Sequence, residues 1–204
     1  MDAEICIRQL TPGDAALYRR IRLAGLKESP EAFGSTFEVE FTKPLAWFFD
    51  RLGNSEVFGA FRDAELLGVA GLVVRQEEKE AHKGLLWGMY VRPDARGAGI
   101  ARQLVEAVIA HARAWVELIQ LSVVVGNKPA RRLYASLGFV EYGIEKKSLK
   151  YRGRYYDEIL MAKDLGSASD HDTIPRHAPR LPFASTGRQR RLLFLDQKLE
   201  GKDF

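Results

Sequence analysis

The stretch Arg96-Gly97-Ala98-Gly99-Ile100-Ala101 decides how this chain is read. Before it, residues 84–91 have strand character, and Pro93-Asp94 ends that strand. After it, Ile100, Leu104, Val105, Val108 and Ile109 recur at helical spacing. Two glycines therefore stand between a strand and the start of an amphipathic helix. A helix N-terminus presents unpaired N–H groups and about half a positive charge. Glycines let the backbone approach a phosphate with no Cβ in the way. Arg92, Arg96 and Arg102 add charge nearby. A diphosphate suits such a loop, and a ligand-free structural turn is the alternative. The dinucleotide pattern G-x-G-x-x-G fails, because Arg102 stands where the third small residue belongs. The Walker pattern fails too, since no Gly-Lys-Ser/Thr follows.

On either side of this loop the chain alternates between strand and helix signals. Residues 4–10 read as a first strand, and Thr11-Pro12-Gly13-Asp14 breaks it with helix-start chemistry. Leu17, Ile21, Leu23 and Leu26 give a helical stripe that Ser29-Pro30 should end. A second helix is expected over 44–52, with Leu45, Phe48, Phe49 and Leu52 on one side. Residues 56–61 and 66–74 read as a hairpin turning at Arg62-Asp63-Ala64-Glu65. A β-branched run at 118–125 is a strand. Ala130, Leu133, Tyr134 and Leu137 mark a short helix, with Pro129 in its first turn and Gly138 just past its end. Residues 139–145 and 155–162 read as two closing strands. The fold class is α/β or α+β, with one mixed sheet of about seven strands and about four helices.

The chain has 204 residues, 46% of them apolar, and a formal net charge of +4. That supports a packed domain over 1–165 and excludes disorder throughout. From 166 to 204 the composition turns to Ser, Pro, His, Asp and Arg, which reads as a loosely attached tail. Within it Leu192-Leu193-Phe194-Leu195 could dock on a surface. The single cysteine, Cys6, excludes an internal disulfide and a cysteine-based zinc site; it is expected in the core. No metal site is expected. No signal peptide or membrane-length apolar run is visible, so a cytoplasmic setting without a membrane partner is expected. Arg188, Arg190 and Arg191 cluster among acidic residues without a stacking platform, so no nucleic-acid partner is expected.

The loop resembles the Q/R-x-x-G-x-G/A signature of the GNAT acetyltransferases. A second match, Asn127-Lys128-Pro129-Ala130-Arg131-Arg132-Leu133-Tyr134 followed by Leu137-Gly138-Phe139, is similar to the family's second coenzyme motif. The resemblance spans roughly residues 4 to 165 and implies an acetyl-CoA-dependent N-acetyltransferase. It implies a mostly antiparallel sheet splayed between its fourth and fifth strands, with acetyl-CoA entering the gap. Met89, Tyr90 and Val91 would then offer backbone contacts to the pantetheine arm. Arg96, Gly97, Ala98, Gly99, Ile100, Ala101 and Arg102 would hold the pyrophosphate. Asn127 would contact the pantetheine or acetyl end, and a strand N–H near Met89 would polarise the thioester carbonyl. Tyr134 resembles the family's general acid. Amine attack on a thioester must end by expelling a thiolate, and a phenol of pKa about 10 can protonate it.

One part of the pattern is missing. Some relatives carry a general-base glutamate on the fourth strand or at the start of the fifth. Residues 85–91 contain no carboxylate, and Ser122 stands where some relatives place it. Only a neutral amine attacks, and an alkyl amine of pKa about 10.4 is roughly 0.04% neutral at pH 7. A peptide α-amine of pKa about 8 is roughly 10% neutral. Either a water relay reaches a distant group, or the substrate is weakly basic. His82, Glu28, Glu31, Asp157 and Glu158 are the candidates for that group. In this family the acceptor meets the cofactor between the first helices and the last hairpin, here 28–37 and 150–157. The aromatics and carboxylates of the first segment would suit a cationic amine. A small amine or amino acid is the expected acceptor. A protein α-amine and a catalytically silent acyl-CoA-binding module are the alternatives. A homodimer is possible on the same resemblance.

Overall fold

The computed structural model describes residues 4–166. Beyond residue 166, the expected tail and its Leu192-Leu193-Phe194-Leu195 segment lie outside the described residues. The elements follow the expected order: β1 (Ile5–Gln9), α1 (Ala15–Glu28), α2 (Phe37–Phe41), α3 (Leu45–Gly53), β2 (Glu56–Arg62), β3 (Glu65–Val74), β4 (Lys83–Val91), α4 (Ile100–Ala112), β5 (Leu118–Val124), α5 (Lys128–Ser136), β6 (Val140–Tyr151) and β7 (Arg154–Asp164).

Local chemistry sets the boundaries. The Asp14 carboxylate accepts from Thr11 N at 2.8 Å and pairs with Arg8 at 2.7 Å, which closes the turn before α1. Ser29-Pro30 ends α1, as expected. The α2 helix was not expected, because five residues are too few to show a period. It starts where Thr36 Oγ1 accepts from Val39 N at 3.3 Å, and Phe37 stacks on Phe41. The closing hairpin is longer than the apolar pattern suggests. It turns at Arg152 and Gly153, both with positive φ, and carries polar residues that hide the alternation.

Seven strands form one sheet in the order β1-β2-β3-β4-β5-β7-β6. Neighbours along β3 go to opposite faces: Leu66 packs under α1 and α3, and Leu67 packs under α4. Phe48 and Leu52 bury one side of α3, whereas Leu45 and Phe49, expected beside them, are exposed. Cys6 is exposed too, contrary to expectation. On the edge strand β1, Ile5 and Ile7 take the inward face, so the pleat turns Cys6 outward.

The site is positioned by two irregularities. β4 and β5 run parallel and pair at Lys83–Leu118, Gly84–Ile119 and Leu85–Gln120, then diverge. Past Leu85, β4 stays on β3 and β5 stays on β7, so the sheet splays between its fourth and fifth strands. The β3–β4 register shifts between Val69 and Gly71, which face Tyr90 and Trp87. The extra residue in β4 is accommodated at Gly88, whose φ is 64°, a conformation glycine adopts without strain.

Candidate active site

The open edges of β4 and β5 lead into a cleft. Trp87, Gly88 and Met89 line one wall, and Ser122, Val123 and Val124 the other. Phe33 closes it from the α1 face; Asn127, Ala130 and Tyr134 close it from the α5 face. The helical period of α5 turns Tyr134 inward, where its ring meets Phe139 edge-on at 5.8 Å. Burial pushes its hydroxyl above the ordinary tyrosine range, so the phenol stays protonated and has a proton to give. Asn127 caps α5, with Oδ1 accepting from Ala130 N at 3.2 Å. The oxygen is thereby engaged, and the amide N–H groups are left for the cleft.

At the end of β4 the loop turns through Gly97 and Gly99, with φ of 84° and 74°. Gly99 is the N-cap of α4, and no side chain caps that helix. A Cβ built at either glycine meets no atom within 4 Å. The space over the first-turn N–H groups is therefore open, and a diphosphate fits the donors the loop offers.

The three arginines near this loop have partners within the protein. Arg92 is engaged by Glu65 and by Asp94 at 2.6 Å. Arg96 turns back, donating to Val91 O at 3.0 Å and to Glu28 Oε1 at 2.5 Å. Arg102 reaches Ser136 Oγ at 2.8 Å. Their guanidinium groups brace the loop. Tyr90 and Val91 pair with Val69 and Gly68 on the β3 side, which leaves the β5 side of β4 open. The Tyr90 ring is buried, and its hydroxyl donates to Glu28 Oε2 at 2.7 Å. Burial, then the bond and charge of Glu28, push that hydroxyl up to about 12.

Among the five candidate bases, one is joined to the cleft. Ser122 Oγ donates to Glu158 Oε1 at 2.8 Å, and Ser148 Oγ donates to Oε2 at 2.6 Å. Glu31 lies in the short turn just before the cleft-lining Ala32 and Phe33. Burial would raise the carboxyl of Glu28, but the bonds from Tyr90 and Arg96 outweigh it and hold it below the usual range. Asp157 is tied into the β6–β7 hairpin by Lys147 N at 2.8 Å and Lys146 Nζ at 2.9 Å. Its carboxyl is held low first by that backbone bond. His82 sits at the closed end of the β4–β5 pair, where its carbonyl accepts from Leu118 N.

Sequence reasoning missed the buried ion pair under the α1 side. Glu40 accepts from Arg22 Nε at 3.0 Å and from NH2 at 2.7 Å. The two residues are 1% and 3% exposed. A signal was present: Arg22 stands four residues from both Tyr18 and Leu26, on the buried stripe of α1. Among the described residues, no group of three or more His, Cys, Asp or Glu could hold a metal ion. No described helix is long and apolar enough to cross a membrane.

A model of the GNAT acetyltransferase family matches residues 25–139. The chain belongs to that family. An L-amino acid N-acetyltransferase, AaaT of Escherichia coli (strain K12), is 28% identical over 166 residues, covering 79% of this chain and 98% of that protein. The phosphinothricin N-acetyltransferase of Alcaligenes faecalis is 33% identical over 119 residues, covering 57% of this chain and 59% of that protein. Among solved structures, yncA from Salmonella typhimurium, determined with its cofactor acetyl-CoA, superposes with a TM-score of 0.68. It shares 21% identity and covers 86% of this chain and 100% of that one, a likeness of fold. The GNAT fold accounts for the splayed sheet, the glycine loop and the cleft between them.

Proposed function

We propose that this GNAT domain, spanning residues 1–165, moves the acetyl group of acetyl-CoA to a primary amine of a small molecule or amino acid by direct attack. The observation that carries this reading is a cleft walled by the unpaired stretch of β4, by β5 and by the buried Tyr134, with the uncapped glycine loop following at the end of β4. Acetyl-CoA supplies an activated acetyl thioester. Met89, Tyr90 and Val91 offer the open strand edge to its pantetheine arm. The loop from Arg96 to Arg102 offers backbone N–H groups to its diphosphate. Asn127 offers its side-chain amide near the acetyl end. A strand N–H near Met89, by the Gly88 bulge, would polarise the carbonyl oxygen, where developing negative charge is stabilised. Tyr134 gives its Oη proton to the leaving sulfur. The desolvation that raises the phenol also raises any thiolate formed beside it, so burial shifts both proton affinities in the same direction. Glu158, through Ser122, receives the proton the amine loses. That route supplies the base that β4 and the start of β5 lack.

The test is to incubate the full chain with acetyl-CoA and a panel of amines, amino acids and N-terminal peptides, and follow thiol release. Turnover on the first two groups is expected. Tight acetyl-CoA binding with turnover on none would leave a silent binding module instead. Two variants probe the parts. Gly99→Ala forces a side chain into a left-handed conformation, costing about 1–2 kcal/mol of stability. Its Cβ also enters the space a diphosphate needs, so calorimetry should show acetyl-CoA affinity falling roughly tenfold or more. Glu158→Gln should lower kcat/KM at pH 7 by about 10²-fold. An unchanged kcat/KM would remove Glu158 from the proton path.

A further inference from the structure

The α1 side of the cleft, where the acceptor meets the cofactor in the reading above, holds more positive charge than the protein neutralises. Glu40 occupies Arg22 through Nε and NH2, which leaves NH1 on the side of the cleft wall. A Cβ at the cleft-lining Gly88 would stand 3.8 Å from that NH1. Arg51 of α3 lies between two indoles, 4.8 Å from the Trp47 ring centre and 4.5 Å from that of Trp87. Its charge is felt by Glu40, so two guanidinium groups share one carboxylate. Among the described residues Arg51 has no ion-pair partner of its own, and its Nε is buried without a hydrogen bond. Trp87 Nε1 is buried without one as well. Native structures leave few such donors, and these two meet at the Trp87 wall of the cleft, where an acceptor from outside the chain would satisfy them.

The aromatic rings point the same way. A cationic acceptor would need open ring faces or spare carboxylates. Phe33 already carries Arg22, and Trp47 and Trp87 carry Arg51. On the closing hairpin, Tyr155 carries Lys147 and Lys150. Glu28 is bound by Arg96 and Tyr90.

We propose that the acceptor carries a carboxylate beside its amine, and that Arg51, the Trp87 indole N–H and Arg22 NH1 hold it. The Trp87 indole lies over Gly71 of β3, so an anion held there sits on the β3 side of the bulge at Gly88. This rests on the acetyl-transfer reading. It departs from the cation-binding role that the carboxylates of 28–37 suggest in the sequence.

The experiment compares amines that differ only in the carboxylate: L-leucine against 3-methylbutylamine and L-phenylalanine against 2-phenylethylamine, with spermidine as a polycation. The carboxylate-bearing member of a pair should be preferred in kcat/KM by roughly 10²-fold or more. Arg51→Met and Trp87→Phe should each cut that preference about tenfold, through the KM of the amino acid, and Arg51→Lys should restore part of it. If Arg51→Met does not fold in a thermal melt, Trp87→Phe, which keeps a ring in place, carries the test. A wild-type preference for the plain amines or spermidine overturns the proposal. So does a preference that neither folded variant moves. Calorimetric titration of L-leucine and L-phenylalanine into the protein with coenzyme A requires no turnover. Carboxylate-dependent binding without thiol release would keep the anion site and remove acetyl transfer. Thiol release on the plain amines with no gain from the carboxylate would do the reverse.

Discussion

Tyr134→Phe is expected to lower kcat by roughly 10²–10⁴-fold, with acetyl-CoA binding and folding retained. The change deletes one oxygen from a buried ring and leaves the packing against Phe139 in place. What is lost is the proton that a leaving thiolate needs. Phenylalanine fills the same volume, so the loss should appear in kcat and not in the melting temperature. Steady-state kinetics paired with calorimetry and a thermal melt check this. An unchanged kcat would take Tyr134 out of the mechanism and leave it a core ring.

The second large effect concerns stability. Glu40→Leu should destabilise the domain by about 3–5 kcal/mol, because it strands Arg22 as an uncompensated buried charge. For a domain of this size that is a fall in Tm of roughly 6–20 °C. Changing both partners, to Leu at 40 and Met at 22, should recover much of the loss, since a buried pair is worth little relative to a well-packed apolar replacement. The pair also sets a pH dependence. Burial alone would raise the Glu40 carboxyl, but the charge and hydrogen bonds of Arg22 outweigh it and hold it below the usual range. A carboxyl held low in the folded state adds stability that is present above its unfolded pKa of about 4.3. That stability is lost as pH falls through the lower folded value. Wild type should therefore lose melting temperature on acidification below about pH 4. The double variant should lose less. Identical acid profiles for the two would show that Glu40 contributes nothing to acid stability.

Features that depend on near neighbours in sequence were legible. The glycines of the loop, the helix after it and the Asn127–Tyr134 stretch all lie within short windows, and their spacing fixes which side faces the sheet. Directions were not. Arg92, Arg96 and Arg102 stand beside the loop in sequence, yet their side chains reach Glu65, Glu28 and Ser136, all three distant in the chain. The partner of Arg22 is 18 residues away on a helix too short to show a period. Glu158 stood among five possible bases; its link to Ser122 exists only once β5 and β7 pair. The bulge in β4 had a visible sign in Gly88, since a glycine inside a strand often marks one. Cys6 shows the limit of composition, because its apolar neighbours took the inward face.

The divergence of β4 and β5 has a consequence for solubility. A row of unpaired strand groups at the rim of a sheet invites another chain to add a strand, the usual route to aggregation. Here the unpaired edge lies in the middle of the sheet. A visiting polypeptide strand would have to seat side chains on both faces at once, against Phe33 on one and Ala130 and Tyr134 on the other. A slender chain without side branches meets no such obstacle. The interior position of this β edge thus hinders strand addition while leaving room for a thin ligand.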